Sequence, residues 1–303
     1  MKAIVIHSFG SIEELKLEDV PIPKPGPDQV LVRVRAAGVG PWDALVRTGK
    51  SGLPQPLPLT PGSDIAGIVE GTGEEVFGVT NPSFTGGYAE YAIAANDSIA
   101  AKPPALDFVA AASAPVVTVT AWRMLFDRAK IERGQSVLIQ GAAGNVGAYA
   151  VQLAHWAGAR VVAVAAAGDA AYLRRLGAER TIDYHGQRFE DLVSNVDAVI
   201  DTVGGETQMR SFGVLRRGGA IVSSVSQPPA DLAERYGVRA DYFIVEVKRP
   251  QLERIAQLFE EGALEADVGT VLPLSDAPLA HEMLAGRIGH PRGKIVLDTG
   301  AAG

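Results

Sequence analysis

A strand, a glycine-rich turn, a helix and a second strand follow one another without interruption in the middle of this chain. Ser136-Val137-Leu138-Ile139-Gln140 is a short apolar run. Gly141-Ala142-Ala143-Gly144-Asn145-Val146-Gly147 follows it. Ala148 to Gly158 then continues with an apolar helical face made by Val146, Ala150, Val151, Leu153, Ala154 and Ala157. Arg160-Val161-Val162-Ala163-Val164 reads as the next strand. This order predicts a βαβ unit. Such a unit aims the turn's N–H groups and the positive end of its helix at one point, which suits a pyrophosphate. Gly144 is expected to let the backbone approach the phosphates, and Gly147 to let the helix pack close to the strand. Gly141, Ala143, Gly144, Asn145, Val146 and Gly147 are therefore candidate dinucleotide contacts. The pattern departs from G-x-G-x-x-G at its first glycine, where Ala142 stands with Gly141 one place earlier.

The end of the second strand bears on which dinucleotide is bound. An NAD site carries Asp or Glu there to bond the ribose hydroxyls. This chain has Val164-Ala165-Ala166-Ala167, so nothing at that place repels a 2′-phosphate and NADP(H) is favoured. Ala165 and Ala166 join the candidate cofactor residues. Arg174 and Arg175 are the nearest cations, and Asp169 is a nearby anion.

A length of 303 residues allows two domains of ordinary size, and 47% hydrophobic residues allow a real core. The net charge of −7 and the scattered Lys and Arg argue against nucleic acid and against an anionic membrane surface. No apolar run has the length of a membrane span. Met1 to His7 reads as a strand rather than a signal peptide. A soluble cytoplasmic protein is the expectation. With no cysteine there is no disulfide and no thiolate metal site, and the five histidines show no metal-ligand spacing, so no metal is expected.

The first third is rich in short strands, Pro and Gly. Strands are predicted at Ala3 to Ile6, Leu15 to Asp19, Gln29 to Arg35, Ile65 to Val69, Glu75 to Val79 and Tyr88 to Ala94, which suggests a barrel-like β domain. Helices are predicted at Phe108 to Ala114 and Val119 to Arg128, with Pro115 between them. Strands at 136–140, 160–164, 197–202, 220–225 and about 239–246 then alternate with helices at 146–157, 169–176, 205–215 and 250–261. That alternation implies a parallel sheet covered by helices. The tail offers a strand near Thr270 to Leu274, a helix at Asp276 to Ala285 and a last strand at Lys294 to Asp298.

Several motifs keep one order along nearly the whole chain. They are Ala36-Ala37-Gly38-Val39-Gly40-Pro41-Trp42-Asp43, Pro61-Gly62-Ser63-Asp64-Ile65-Ala66-Gly67, Gly87-Tyr88-Ala89-Glu90-Tyr91, Thr120-Ala121-Trp122, the glycine turn, Leu176-Gly177-Ala178, Asp201-Thr202-Val203-Gly204-Gly205 and Arg292-Gly293-Lys294-Ile295-Val296-Leu297. In these the chain resembles the medium-chain dehydrogenase/reductases, and within them the zinc-independent NADPH:quinone oxidoreductases. The resemblance implies an α/β fold in which a GroES-like β-barrel catalytic domain, residues 1–117 and 249–303, carries an inserted Rossmann domain with a doubly wound parallel sheet, residues 118–248. It also implies an active-site cleft, and a homodimer paired through the last Rossmann strand, near Tyr236 to Val247. Three departures stand out. Ser63-Asp64 occupies the place of the His-Glu of zinc-dependent relatives, Gly40 stands where Asn is frequent, and the loop between Val69 and Val76 is short.

The implied chemistry is hydride transfer from a nicotinamide to a quinone or an α,β-unsaturated carbonyl, without zinc. The candidate catalytic residues are Tyr88, Ser63 and Thr120, with Trp42, Asp43 and Asp64 beside them in the implied cleft. Each has an ordinary alternative. Tyr88 can be a packed strand aromatic, Thr120 a helix-start cap, Trp42 a core residue, and Asp64 an anchor for backbone N–H groups. On the cofactor side the resemblance adds Thr120, Tyr184, Val203, Ser224, Val225, Arg292 and Lys294. An enoyl-thioester reductase is the alternative enzyme, and a non-catalytic NADPH-binding sensor or structural protein is the alternative of another class.

Overall fold

A computed structural model describes residues 1–300 of the chain. The first segment forms β1 (Lys2–Val5), β2 (Lys16–Asp19), β3 (Gln29–Val39), β4 (Asp64–Val69), β5 (Glu75–Val79), β6 (Tyr91–Ala95) and β7 (Ile99–Ala101), with helices α1 (Pro41–Arg47) and α2 (Phe108–Ala112). Helix α3 (Pro115–Trp122) leads into β8 (Ser136–Gln140), α4 (Asn145–Trp156), β9 (Arg160–Ala165), α5 (Ala170–Arg175) and β10 (Arg180–Asp183). There follow β11 (Val196–Asp201), α6 (Gly205–Ser211), β12 (Leu215–Ser223), α7 (Ala230–Tyr236) and β13 (Arg239–Tyr242). The chain closes with α8 (Arg249–Glu260), β14 (Val268–Pro273), α9 (Ala277–Leu284) and β15 (Lys294–Asp298). Two compact units result, one from Met1–Val116 together with the segment that returns at Glu246, the other from Val117–Val245.

The second unit is the simpler. Its six strands are ordered β10-β9-β8-β11-β12-β13, and every pair is parallel. This is the 3-2-1-4-5-6 order of doubly wound dinucleotide folds. The strands read as apolar runs because helices cover the sheet, and Leu138, Val164, Ile182, Val199, Phe212 and Ile221 meet in one core. On α4, Ala150, Val151, Leu153 and Ala154 are wholly buried, as the apolar face predicts.

The first unit is built on a mixed seven-stranded sheet ordered β14-β15-β3-β4-β5-β7, with β6 also on β3. The long β3 is its axis. It pairs antiparallel with β4 along Val32 to Ala37, with β6 along Gln29 to Arg33 and with β15 along Ala36 to Val39. The last strand therefore lies in the same sheet as the first third of the chain. Ile4, Ile6, Val32, Val34, Ile65, Tyr88 and Leu297 share its core.

Several predicted boundaries move. Pro115 is not in the gap between the two helices but opens the second, α3, where its missing N–H costs nothing. The helix then continues as a π-helical turn, Arg123–Ala129. Tyr88 lies before β6 rather than in it, because its N–H donates to Pro61 O and its carbonyl accepts from Ile4 N. The helix expected at 205–215 stops at Ser211, β12 starts at Leu215 rather than 220, and β13 ends at Tyr242.

Candidate functional site

The C-terminal ends of β8 to β12 gather the candidate cofactor residues of the second unit other than Thr120. Gly141 follows β8 with φ +65°, a backbone conformation that favours glycine. A Cβ on Gly141 would overlap Thr202 Oγ1 and lie 3.0 Å from Val203 Cγ2, so the turns after β8 and β11 touch. Thr202 Oγ1 donates to Gln140 O at 2.8 Å, which ties the same turns together. Ala142 N donates to Val164 O of β9. Gly147 supplies the close approach foreseen for it: a Cβ there would overlap Gly141 O and lie 2.8 Å from Ala142 Cα.

Gly144 caps α4 with extended backbone and no side-chain cap. The N–H groups of Asn145, Val146 and Gly147 open the helix and have no intrahelical acceptor. Gly144 is exposed, and the nearest atom to a Cβ there is Gly141 O at 3.3 Å. An uncapped helix start with an open glycine in front of it fits a pyrophosphate by shape and by charge.

Around this turn, Tyr184 is 57% exposed and its ring lies 4.2 Å from that of His185. Val203 and Val225 are each 48% exposed, and Ser224 between β12 and Val225 is half-buried. Ala165 is buried at the end of β9, while Ala166 is half-buried. Arg174 Nη2 is 3.3 Å from Thr181 Oγ1, and the Arg175 guanidinium lies over the Tyr172 ring. Both arginines are thus engaged along α5. Asp169 precedes α5 in a 3₁₀ turn.

One acid of this edge was not singled out by the residue pattern. Asp201, at the end of β11, is fully buried. Its Oδ1 accepts from Val203 N at 3.0 Å and Gly204 N at 2.9 Å, and its Oδ2 from Gln208 Nε2 at 2.9 Å and Ser223 Oγ at 2.8 Å. The signal was present: an Asp followed by Thr-Val-Gly-Gly is a sequence in which a carboxylate bonds N–H groups two and three residues on.

Asp43, Tyr88, Asp64 and Lys294 of the first unit form a buried polar cluster. Asp43, in the first turn of α1, accepts from Gly40 N and from Tyr88 Oη, both at 2.8 Å and both on Oδ2. Burial raises its carboxyl pKa to about 6, against the lowering effect of those hydrogen bonds and of Lys294. Tyr88 has no exposed surface, and burial with the Asp43 charge raises its phenol well above the usual value. Its hydroxyl proton is directed at Asp43.

Asp64 and Lys294 are an ion pair at 3.0 Å, each side chain 4% exposed. Asp64 Oδ1 also accepts from Val116 N at 3.0 Å, near the start of α3, which is the anchoring role foreseen for it. Lys294 therefore neutralises Asp64 inside the first unit and does not present a free ammonium. Arg292 is exposed, with its Nε 3.8 Å from Asp267. Asp43 and Asp64 make their hydrogen bonds to different partners. Thr120 is buried in the body of α3, so it is not a helix-start cap. Ser63 is buried, and its carbonyl accepts from Thr80 N. Trp42 is half-buried and meets Phe84 edge-on at 5.5 Å. His281 is buried; Arg47 Nε donates to its Nδ1 at 3.4 Å, and burial, then the Arg47 charge, lowers its pKa to about 4. Among the described residues, no three His, Cys, Asp or Glu are placed to hold a metal ion, and no helix is long and apolar enough to cross a membrane.

Comparison with known proteins agrees with this architecture. Residues 26–81 match the alcohol dehydrogenase GroES-like domain, residues 176–297 the zinc-binding dehydrogenase family, and residues 109–174 the glutamate/leucine/phenylalanine/valine dehydrogenases. The chain is 33% identical to a quinone oxidoreductase of Sus scrofa, over 98% of this chain and 97% of that protein. It is also 33% identical to a 2-methylene-furan-3-one reductase of Solanum lycopersicum, over 98% of this chain and 79% of that protein. The solved structure of a quinone oxidoreductase from Coxiella burnetii superposes with a TM-score of 0.89 at 33% identity, covering 99% of both chains.

Proposed function

The chain belongs to the medium-chain dehydrogenase/reductase superfamily, in its quinone oxidoreductase-like family, and we propose that it transfers hydride from NADPH to a quinone or an α,β-unsaturated carbonyl without a metal ion. The observation that carries this reading is the uncapped start of α4 at the reversal of strand order. There the N–H groups of Asn145, Val146 and Gly147 hold the pyrophosphate. The bound cofactor supplies a hydride from its nicotinamide C4. Tyr184 and the uncharged Ala165–Ala166 end of β9 flank the adenosine side, and Val203, Ser224 and Val225 flank the other. The absence of a carboxylate at the end of β9 supports NADPH over NADH.

Metal independence is supported by the chemistry of the donors: no cysteine, and Ser63 where zinc-dependent relatives have a ligand. The chain's part in the reaction is to bind and orient donor and acceptor and to exclude water. With the Tyr88 proton directed at Asp43, solvent protonates the product oxygen. The free edge of β13 is the surface for pairing with a second copy into a homodimer.

Turnover measured with quinones, enones and enoyl thioesters, each with NADPH and with NADH, before and after prolonged chelation, tests the proposal. The expected outcome is chelation-resistant oxidation of NADPH by quinones or enones, with NADH the poorer donor. Activity confined to enoyl thioesters would make the chain an enoyl reductase. Binding of NADPH without turnover of any acceptor would make it a sensor. Activity lost on chelation and restored by zinc would overturn the metal-free mechanism.

A further inference from the structure

Val203 and Val225 stand half-exposed on the turns after β11 and β12. Single exposed valines are ordinary. What distinguishes these two is the device that holds them. Asp201 takes the N–H groups of Val203 and Gly204 on one carboxylate oxygen. On its other oxygen it takes Ser223 Oγ and Gln208 Nε2. Ser223 Oγ in turn accepts from Val225 N at 3.2 Å and Ser226 N at 3.3 Å, while Gln208 Nε2 also reaches Ser226 O at 3.0 Å. One buried acid thus shapes two separate turns. Among the described residues, its four donors are neutral groups and no cation is a hydrogen-bond partner. Burying a carboxylate in that way is costly unless every lone pair is used, and here each oxygen receives two donors.

The place of these turns gives the device a use. In a doubly wound sheet the two halves share the dinucleotide. β8, β9 and β10 form the half with the glycine turn and the adenosine side, and β11, β12 and β13 form the other. We infer that Asp201 is a positioning residue which, through Ser223 and Gln208, sets the turns that receive the nicotinamide half of the cofactor. This rests on the dinucleotide reading above. Asn at position 201 has the same shape but turns one acceptor into a donor that faces donors, so at least one of the four bonds is lost.

Isothermal titration of wild type, Asp201→Asn and Ser223→Ala with two ligands, NADPH and adenosine 2′,5′-bisphosphate, tests the inference. The bisphosphate contains only the adenosine half. Asp201→Asn should raise the Kd for NADPH by at least about tenfold and leave that for the bisphosphate within about twofold. Ser223→Ala should show the same split, smaller, and it carries the test if Asp201→Asn does not fold. Equal losses for both ligands would assign the network to general stability and overturn the inference. Unchanged NADPH affinity in both variants would overturn it too. A wild-type protein that binds neither NADPH nor NADH would instead remove the functional reading on which it stands.

Discussion

Asp201 in the Rossmann-like unit and Asp43 in the GroES-like unit are both buried carboxyls, and their surroundings differ. Asp201 draws two of its four donors from the next three residues and a third from the helix that follows. Asp43 receives its two hydrogen bonds on one oxygen, one from Gly40 and one from Tyr88, 45 residues away. Burial outweighs those bonds and lifts the Asp43 carboxyl to about 6. The neighbouring Asp64 depends on Lys294, 230 residues away. The Asp201 carboxylate is satisfied mostly by near neighbours, whereas Asp43 in part and Asp64 with Lys294 rely on distant segments. Local networks follow from turn chemistry, and distant ones exist only after the sheet has formed.

The glycine turn offers the largest test of the first half of that contrast. At Gly147 a Cβ meets backbone atoms of Gly141 and Ala142, which have no room to yield. Gly147→Val should therefore unfold the second unit and abolish dinucleotide binding. At exposed Gly144 the chain has room, so Gly144→Val should keep a near-native melting temperature and circular dichroism spectrum and lose only the cofactor. A folded Gly147→Val protein with intact binding would break the account of this turn.

A smaller effect is expected from the distant ion pair of the first unit. Lys294→Met leaves Asp64 buried without its cation, a loss of about 3–5 kcal/mol. The pair Asp64→Asn/Lys294→Met should be closer to wild type than Lys294→Met alone, because it removes the stranded charge. Urea unfolding of the two variants reads the difference. Equal stability of the single and double variants would show that the pair is not coupled.

The smallest effect is a pH dependence in which two buried groups oppose each other. His281 has a folded pKa of about 4, below its ordinary 6.5, so its contribution is present above 6.5 and lost as pH falls through about 4. Asp43 has a folded pKa of about 6, above its ordinary 3.8, so its contribution is present below 3.8 and lost as pH rises through about 6. Relative to wild type, His281→Gln should lose less stability as pH falls from 6.5 to 4, and Asp43→Asn should lose more. Each shift corresponds to roughly 3 kcal/mol at most. Melting curves across that range, taken as differences from wild type, check both signs. Parallel curves for wild type and His281→Gln would show that His281 is not buried neutral.

Much of the second unit was legible before the structure. The run 136–140 is β8 itself, and the runs at 160–164 and 197–202 lie within a residue of β9 and β11. Gly147 was legible because close helix packing after a tight turn leaves room for no other residue. The Asp201 network was legible in part, through the turn pattern that follows it. Ser223 was not, because strand order decides which two turns become neighbours. In the first unit most strand segments were legible, though β7 was missed and β3 runs on to Val39, and their partners were not. Nothing local marks Arg47 as the neighbour of His281, or Tyr88 as the donor to Asp43.

By itself the sequence determined the elements whose signal lies within one turn or one period. These are the apolar strands, the amphipathic α4, the glycine positions and an N-terminus of α4 with no side chain to cap it. Only the tertiary structure decided that Tyr88 donates a hydrogen bond to Asp43, that Lys294 lies inside the protein against Asp64, and that one acid holds the turns after both β11 and β12. The physical reason is the range of each interaction. Periodicity and backbone conformation act over a few residues, while a buried carboxyl takes whichever donor the completed sheet brings within about 3 Å of it.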